Sequence, residues 1–254
     1  MKSNIEKLLE TMRILRGENG CKWDREQTHK SIRENMLEEA YEAIDAINAN
    51  DMKHLREELG DVLLQVVLHA QIADDNGYFN FDDVAKTINE KLIHRHPHVF
   101  SDTKVADVGE ILSNWEKLKL EEKPHRKSVL DGISKSQSAL MKAQKISKKA
   151  VRAGFEWQNI EQLKDCVKSE FIEFENAKTQ QEKEEEFGDI LFALVNLARW
   201  NKIDAEQALN IANEKFTKRF KKMEELAQKP LGELSFDEWD TLWRKAKKEV
   251  SNEL

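Results

Sequence analysis

The chain carries the same pattern twice, and this repetition limits its possible folds more than any other feature. Residues 59–71 (LGDVLLQVVLHAQ) match residues 187–199 (FGDILFALVNLAR), residues 89–95 (NEKLIHR) match 213–219 (NEKFTKR), and residues 115–119 (WEKLK) match 243–247 (WRKAK). The three offsets are 128, 124 and 128 residues. Motifs that recur in one order at a nearly constant offset are typical of a duplicated structural unit. The sequence therefore predicts two tandem copies of one unit.

Helix-forming residues dominate both copies. Only 3 Pro and 9 Gly occur in the chain, which leaves few turn residues for a β-rich fold. Apolar periodicity in the first copy predicts helices over residues 4–16, 30–48, 52–73, 81–94 and 108–122. The third of these contains the apolar run VLLQVVLHAQIA, which favours the centre of a helical bundle or an oligomer interface. We predict an all-α fold.

A break in the helical pattern separates the two copies. Pro124, the basic run HRK at residues 125–127 and Gly132 interrupt the periodicity. We therefore predict an N-terminal domain over residues 1–122, a linker over 123–135 and a C-terminal domain over 136–254. Segments of this length can each bury a core of their own.

The charge balance bears on partners and location. The chain has 48 acidic and 41 basic residues and a net charge of -7, whereas a nucleic-acid-binding protein is usually basic. This balance argues against nucleic acid as a partner, and we interpret one basic cluster as a solvated helix face: Lys142, Lys145, Lys148, Lys149 and Arg152. Cys21 and Cys166 lack metal-type spacing, and no long apolar run is present, so we expect a cytoplasmic protein without a membrane partner.

Each copy places two pairs of acids on successive predicted helices. The pairs are Glu39 and Glu42, then Glu58 and Asp61, in the first copy, and Glu170 and Glu173, then Glu186 and Asp189, in the second. Side chains three residues apart share a helix face, so an antiparallel hairpin can turn both pairs toward one space. Four carboxylates in a partly dry cleft repel one another and favour a bound cation. The sequence thus predicts a divalent metal site in each copy.

The chemistry of these ligands narrows the choice of metal. Every histidine lies at or before His125, so the second copy must bind its ion without imidazole. Ligation by oxygen alone favours Mg²⁺, with Mn²⁺ as a substitute. A di-iron bundle would require Glu-x-x-His motifs. The strings from Glu26 to His29 and from Glu122 to His125 fit that pattern, but Pro124 breaks the second and neither recurs, so we set this alternative aside.

A simpler interpretation of the acids also exists. A single Glu-x-x-Glu in a glutamate-rich chain is usually a solvated helix face. Recurrence of the whole order of motifs, each beside an apolar stretch, favours a site instead.

Basic and aromatic residues follow the acids in both copies. They are spaced four apart on predicted helices: Lys91 and Arg95, Trp115 and Lys119, Lys215 and Arg219, and Trp243 and Lys247. Acids that hold a metal ion and bases that hold phosphate oxygens together suit a polyphosphate substrate. The alternatives are a surface ladder of charges for the bases and a core position for each tryptophan. No glycine-rich phosphate-binding loop of the P-loop type is present.

These motifs, together with GCKWD at residues 20–24, Thr28-His29, LEEAYE at 37–42 and EELGD at 57–61, resemble the two-repeat MazG family of nucleoside triphosphate pyrophosphohydrolases over nearly the whole chain. The resemblance implies an all-α fold that dimerises through its helices, requires Mg²⁺, and converts NTPs or dNTPs to the monophosphate and pyrophosphate. It further implies two groups of residues in the second repeat: metal ligands Glu170, Glu173, Glu186 and Asp189, and triphosphate contacts Lys215, Arg219, Trp243 and Lys247.

Two positions depart from the family pattern. Lys22 stands where the family usually has proline, and Ser169 replaces the first acid of the Glu-Glu-x-x-Glu motif, which the first copy keeps as Glu38.

The expected reaction is attack by a metal-activated water at the α-phosphorus, with Glu173 and Glu186 as the catalytic candidates. The alternative is a nucleotide-binding or helical interaction and dimerisation protein with at most one active repeat.

Overall fold

The computed structural model of the protein describes residues 2–101, 103–122 and 127–252, and every regular element in these ranges is helical. The predicted all-α fold is therefore confirmed. The chain divides into two compact units, Met1–Lys123 and Pro124–Leu254. Residues 123–126, where the predicted linker begins and which contain Pro124 and His125 of the di-iron alternative, lie outside the described residues.

The first unit contains seven helices in its described part: α1 (Asn4–Arg16), α2 (Lys22–Glu26), α3 (Arg33–Asn48), α4 (Met52–Asp75), α5 (Phe81–Arg95), α6 (Pro97–Phe100) and α7 (Val108–Glu121). The long helices coincide with the predicted ones to within a few residues. The sequence did not predict the short helices α2 and α6. α5 ends at Arg95, and Pro97 occupies the first turn of α6, where its missing N–H costs nothing. Lys22, at the position where the family usually has proline, is the first residue of α2.

The core of the first unit forms where α1 packs against α4. Met12 meets Val67, Leu68 and Ile72 there, together with Ile32, and all five side chains are at most 4% exposed. The apolar run of α4 thus lies inside the unit, as its periodicity indicated. A capping box formed by Ser3 and Glu6 fixes the start of α1, because it satisfies otherwise unpaired backbone N–H groups.

The second unit repeats this order. Its helices are α8 (Ala139–Arg152), α9 (Ile160–Asn176), α10 (Gln180–Trp200), α11 (Ala205–Leu226) and α12 (Phe236–Asn252), with a short 3-10 turn at Leu231–Glu233. Its buried apolar side chains include Leu163, Ile190, Val195 and Met223, and Val195 aligns with Val67 of the first core. Ser147 on α8 donates to Asn196 Oδ1 on α10 over 2.5 Å, which ties these two helices together through a buried polar contact.

Of the helices in the described ranges, none is both long enough and apolar enough to cross a lipid bilayer.

Candidate active site

The helical hairpin of α3 and α4 brings three of the four first-repeat acids together. A tight turn joins the helices: Asn50 adopts a left-handed φ of 54°, and the Asp51 carboxylate caps α4 by accepting from the Lys53 and His54 amides. Oxygen atoms of Glu39, Glu58 and Asp61 all lie within 4.8 Å of one another. Glu42, the fourth predicted ligand, is exposed and lies outside this group.

Glu58 is the most buried acid of this group, at 6% exposure. Its Oε1 lies 2.8 Å from His54 Nε2. Its Oε2 is buried and has no hydrogen-bond partner among the described residues. A buried carboxylate oxygen without a partner is costly unless it meets a cation, so this atom fits a metal ligand.

Gln65 also belongs to the first-repeat site. It is 5% exposed, its Nε2 donates to Glu39 Oε1 over 3.4 Å, and its Oε1 is buried without a partner in the described part of the chain. Sequence reasoning missed both Gln65 and His54. Their spacing in the sequence could have identified them. His54 precedes Glu58 by four residues and Gln65 follows Asp61 by four, which places all of them on one face of α4.

The hairpin of α9 and α10 repeats the arrangement in the second unit. Oxygen atoms of Glu170, Glu186 and Asp189 lie within 4.8 Å of one another. Glu173 again lies outside the group, and Ser169, at the position of the missing acid, donates its hydroxyl to Glu173 Oε1 over 2.8 Å. The absence of an acid at this position is visible in the sequence, but the hydrogen bond from Ser169 to Glu173 was not predicted.

Mutual repulsion and burial shape the protonation of both acidic groups. Burial, and then the Asp61 and Glu42 carboxylates, raise the pKa of Glu39. Burial, and then the Glu173 and Asp189 carboxylates, raise the pKa of Glu186. The pKa of Glu58 is likewise raised, first by burial and then by Glu42. In both acidic groups, burial and mutual repulsion therefore disfavour the ionised carboxylates. A hard divalent cation, which prefers oxygen ligands, fits such a group.

These raised pKa values predict how Mg²⁺ changes stability with pH. An acid whose pKa rises on folding stabilises the fold below its unfolded pKa, and that contribution is lost as pH rises through the folded value. The metal-free protein should therefore lose this contribution above the ordinary glutamate value of 4.5. Bound Mg²⁺ offsets the repulsion, so we expect a larger Mg²⁺-induced increase in Tm at pH 7.5 than at pH 5.

Thermal unfolding followed by circular dichroism measures this difference. NaCl at matched ionic strength is the control, because it screens charge without binding the site. An increase in Tm that is the same at both pH values, or that NaCl reproduces, would contradict the prediction.

The first-repeat bases lie where α5 packs against α7. Arg95 donates through Nε to Glu122 Oε1 over 3.0 Å and through Nη2 to Glu122 Oε2 over 2.5 Å. His94 Nδ1 lies 3.2 Å from the same Glu122 Oε1. The Arg95 guanidinium also stands over the Trp115 ring, 5.6 Å from its centroid. Arg95 first, and then His94, hold the pKa of Glu122 at about 2. Lys91 and Lys119 are half-buried.

The second-repeat bases are placed differently. Arg219 is half-buried, and its Nε is buried with no hydrogen-bond partner among the described residues. Lys215 and Lys247 are exposed. Trp243 is half-buried and packs against Phe216, with ring centroids 5.3 Å apart. Within residues 127–252, no hydrogen bond or ion pair joins these bases to the acidic group of α9 and α10.

Known proteins match the chain over most of its length. The family model described as the MazG nucleotide pyrophosphohydrolase domain matches residues 27–100 and again residues 158–223. The chain is 46% identical over 247 residues to the nucleoside triphosphate pyrophosphohydrolase/pyrophosphatase MazG of Thermotoga maritima, covering 96% of this chain and 95% of that protein. It is 46% identical over 232 residues to the nucleoside triphosphate pyrophosphohydrolase of Escherichia coli K12, covering 88% of each.

A third relative, the uncharacterized protein YabN of Bacillus subtilis, is 48% identical over 244 residues, covering 93% of this chain and 50% of that protein. The two family matches each contain one acidic hairpin: α3 with α4 in the first and α9 with α10 in the second. With two matched domains and relatives that align almost end to end, this chain belongs to the MazG family of nucleotide pyrophosphohydrolases.

Proposed function

We propose that this enzyme is a Mg²⁺-dependent nucleoside triphosphate pyrophosphohydrolase that converts NTPs or dNTPs to the monophosphate and pyrophosphate, with Mn²⁺ able to replace Mg²⁺. The observation that carries the proposal is the repeated convergence of three carboxylates within 4.8 Å on a helical hairpin. The names of the relatives from Thermotoga maritima and Escherichia coli support the same reaction.

The metal is held by the converging acids of each hairpin. In the second repeat these are Glu170, Glu186 and Asp189. A bound Mg²⁺ would neutralise phosphate oxygens and acidify a water molecule. Cys166 Sγ lies 3.6 Å from Glu170 Oε1 and orients that ligand as a thiol donor.

We assign proton transfer and charge stabilisation to the predicted site residues that lie outside the metal-binding group. Glu173 stays outside the metal-binding group but lies close enough to raise the pKa of Glu186, so it is our preferred base for the attacking water, ahead of Glu186 itself. The Ser169 hydroxyl holds one Glu173 oxygen and leaves the other available. Lys215, Arg219 and Lys247 would neutralise the charge that builds on the departing pyrophosphate, and Trp243 would shape the wall of the site.

The position of bond cleavage tests the reaction directly. Hydrolysis in water enriched with ¹⁸O should place the label in the monophosphate, because the proposed attack is at the α-phosphorus. The products should be monophosphate and pyrophosphate in equal amounts. Label in the pyrophosphate would place the attack at the β-phosphorus. Release of nucleoside diphosphate and orthophosphate would exclude a pyrophosphohydrolase. Omission of Mg²⁺ is the control for metal dependence.

The main alternative is a helical interaction protein. Its supporting observation is the apolar surface of the acidic hairpins, which exposes Leu37, Tyr41 and Ile44 in the first repeat and Phe171 and Phe187 in the second. We propose that these faces pair in a homodimer of the enzyme. A monomer mass measured by light scattering would exclude the dimer. Absence of product from every NTP and dNTP would favour a helical interaction protein over an enzyme. A cytoplasmic location stays a prediction of the sequence.

A further inference from the structure

The two repeats differ in what surrounds their equivalent arginines. The Arg95 side chain is 12% exposed and meets the Glu122 carboxylate, which is 20% exposed. Two of its nitrogens donate to two different carboxylate oxygens. This two-pronged geometry is also the one with which arginine binds phosphate. Glu122 therefore covers donors that a triphosphate would need.

The second repeat has no acid at the matching position. The register that aligns Trp115 with Trp243 and Lys119 with Lys247 aligns Glu122 with Val250. Val250 is 8% exposed and cannot pair with a guanidinium. Arg219, the counterpart of Arg95, correspondingly keeps a buried Nε with no hydrogen-bond partner in the part of the chain that the structure describes. The Arg95 guanidinium is thus ion-paired within its own unit, whereas no ion pair to Arg219 occurs within residues 127–252.

We propose that Glu122 is a built-in anion that occupies the phosphate-binding position of Arg95, so that the first repeat excludes triphosphate and the second repeat binds it. This inference rests on the proposed function, because it assigns Arg95 and Arg219 to equivalent phosphate positions.

A tethered carboxylate competes effectively with a free nucleotide. An anion attached to the same unit acts at a high effective concentration, on the order of millimolar or above even for a flexible tether. Here the tether is the packed pair of α5 and α7, and His94 adds a second contact to the same carboxylate. Because Arg95 holds the pKa of Glu122 at about 2, the carboxylate stays ionised at every pH at which the enzyme would work.

Replacement of Glu122 by valine, the residue at the matching position of the second repeat, tests the inference. We would measure binding of α,β-methylene ATP, with Mg²⁺, to the full chain by equilibrium dialysis. Wild type should bind one equivalent per chain, and Glu122→Val should bind one more than wild type. An equal number of equivalents in the two proteins would overturn the inference. Pyrophosphate release by wild type tests the proposed function separately, so the two failures are distinguishable.

Companion variants separate charge from folding. Glu122→Gln removes the charge at nearly constant volume and should also gain a site, while Glu121→Gln, at the exposed neighbouring residue, should not. Inorganic triphosphate should raise the Tm of Glu122→Val more than that of wild type, because it would refill the vacated anion position. An equal increase in both proteins would show that the Arg95–Glu122 pair is only structural and would overturn the inference.

The reciprocal change places the anion in the second repeat. Val250→Glu should raise KM for the triphosphate at least tenfold over that of Val250→Gln, which introduces a side chain of the same size without charge. Circular dichroism of both variants shows whether they fold. If Val250→Glu folds and has the KM of Val250→Gln, the inference fails; if it does not fold, the dialysis of Glu122→Val decides.

Discussion

Asp189→Asn is expected to lower Mg²⁺-dependent pyrophosphate release by about 100-fold or more. We propose Asp189 as a metal ligand, and loss of a direct ligand should cost at least as much as loss of a residue that merely orients one. Asp189 is exposed and stands in the group of three carboxylates that α9 and α10 bring together. Its substitution removes charge without opening a cavity. Helical circular dichroism should therefore stay unchanged while activity falls.

Controls locate the effect in the metal site. Glu185→Gln changes an exposed neighbour of Glu186 and should keep its activity. Glu173→Gln should lower turnover but retain Mn²⁺ binding, measured by electron paramagnetic resonance, since we assign Glu173 to proton transfer. Asp61→Asn reports on the first repeat. Full activity in Asp189→Asn, Glu186→Gln, Glu58→Gln and Asp61→Asn alike would disprove the metal-site model.

The fold was predictable because its determinants are local and repeated. The apolar period of α4 indicated its burial, and Val67 and Leu68 do lie in the core. The family resemblance is confirmed by the two matched domains. The short helices α2 and α6 were not predicted, since five and four residues are too few to show a period.

The acids of the candidate site could be identified from sequence because spacing of three residues fixes a shared helix face. Spacing cannot say how far each side chain reaches across a hairpin, and so it did not distinguish Glu39, which joins the group, from Glu42, which does not. Gln65 was not predicted because an amide is not an expected partner in a carboxylate motif, although its spacing from Asp61 places it on the same face of α4.

The contact between Arg95 and Glu122 was beyond sequence reasoning for a different reason. The two residues are 27 positions apart, on α5 and at the end of α7, so only the packing of these helices brings them together. The alignment predicted that Arg95 and Arg219 are equivalent. The surroundings of the two arginines differ, however, and we therefore expect their substitution to have different effects.

Arg219→Ala should therefore act on catalysis and Arg95→Ala on stability. We expect Arg219→Ala to lower kcat/KM by about 100-fold, equivalent to about 2.7 kcal/mol, because the variant lacks the guanidinium that we propose as a partner of the developing phosphate charge. Arg95→Ala leaves the Glu122 carboxylate without its main partner and should lower the free energy of unfolding by about 1–3 kcal/mol. Steady-state kinetics and urea unfolding of the two variants measure these effects.

The pH dependence identifies the source of the Arg95 effect. An acid with a lowered pKa stabilises the fold above its unfolded pKa, and that stability is lost as pH falls through the folded value. For Glu122 the window runs from the ordinary value of 4.5 down to about 2. The difference in unfolding free energy between wild type and Arg95→Ala should thus be full at pH 7 and shrink below pH 4.5. A difference that stays constant down to about pH 2 would mean that Arg95 stabilises the unit by packing on Trp115 and not through Glu122.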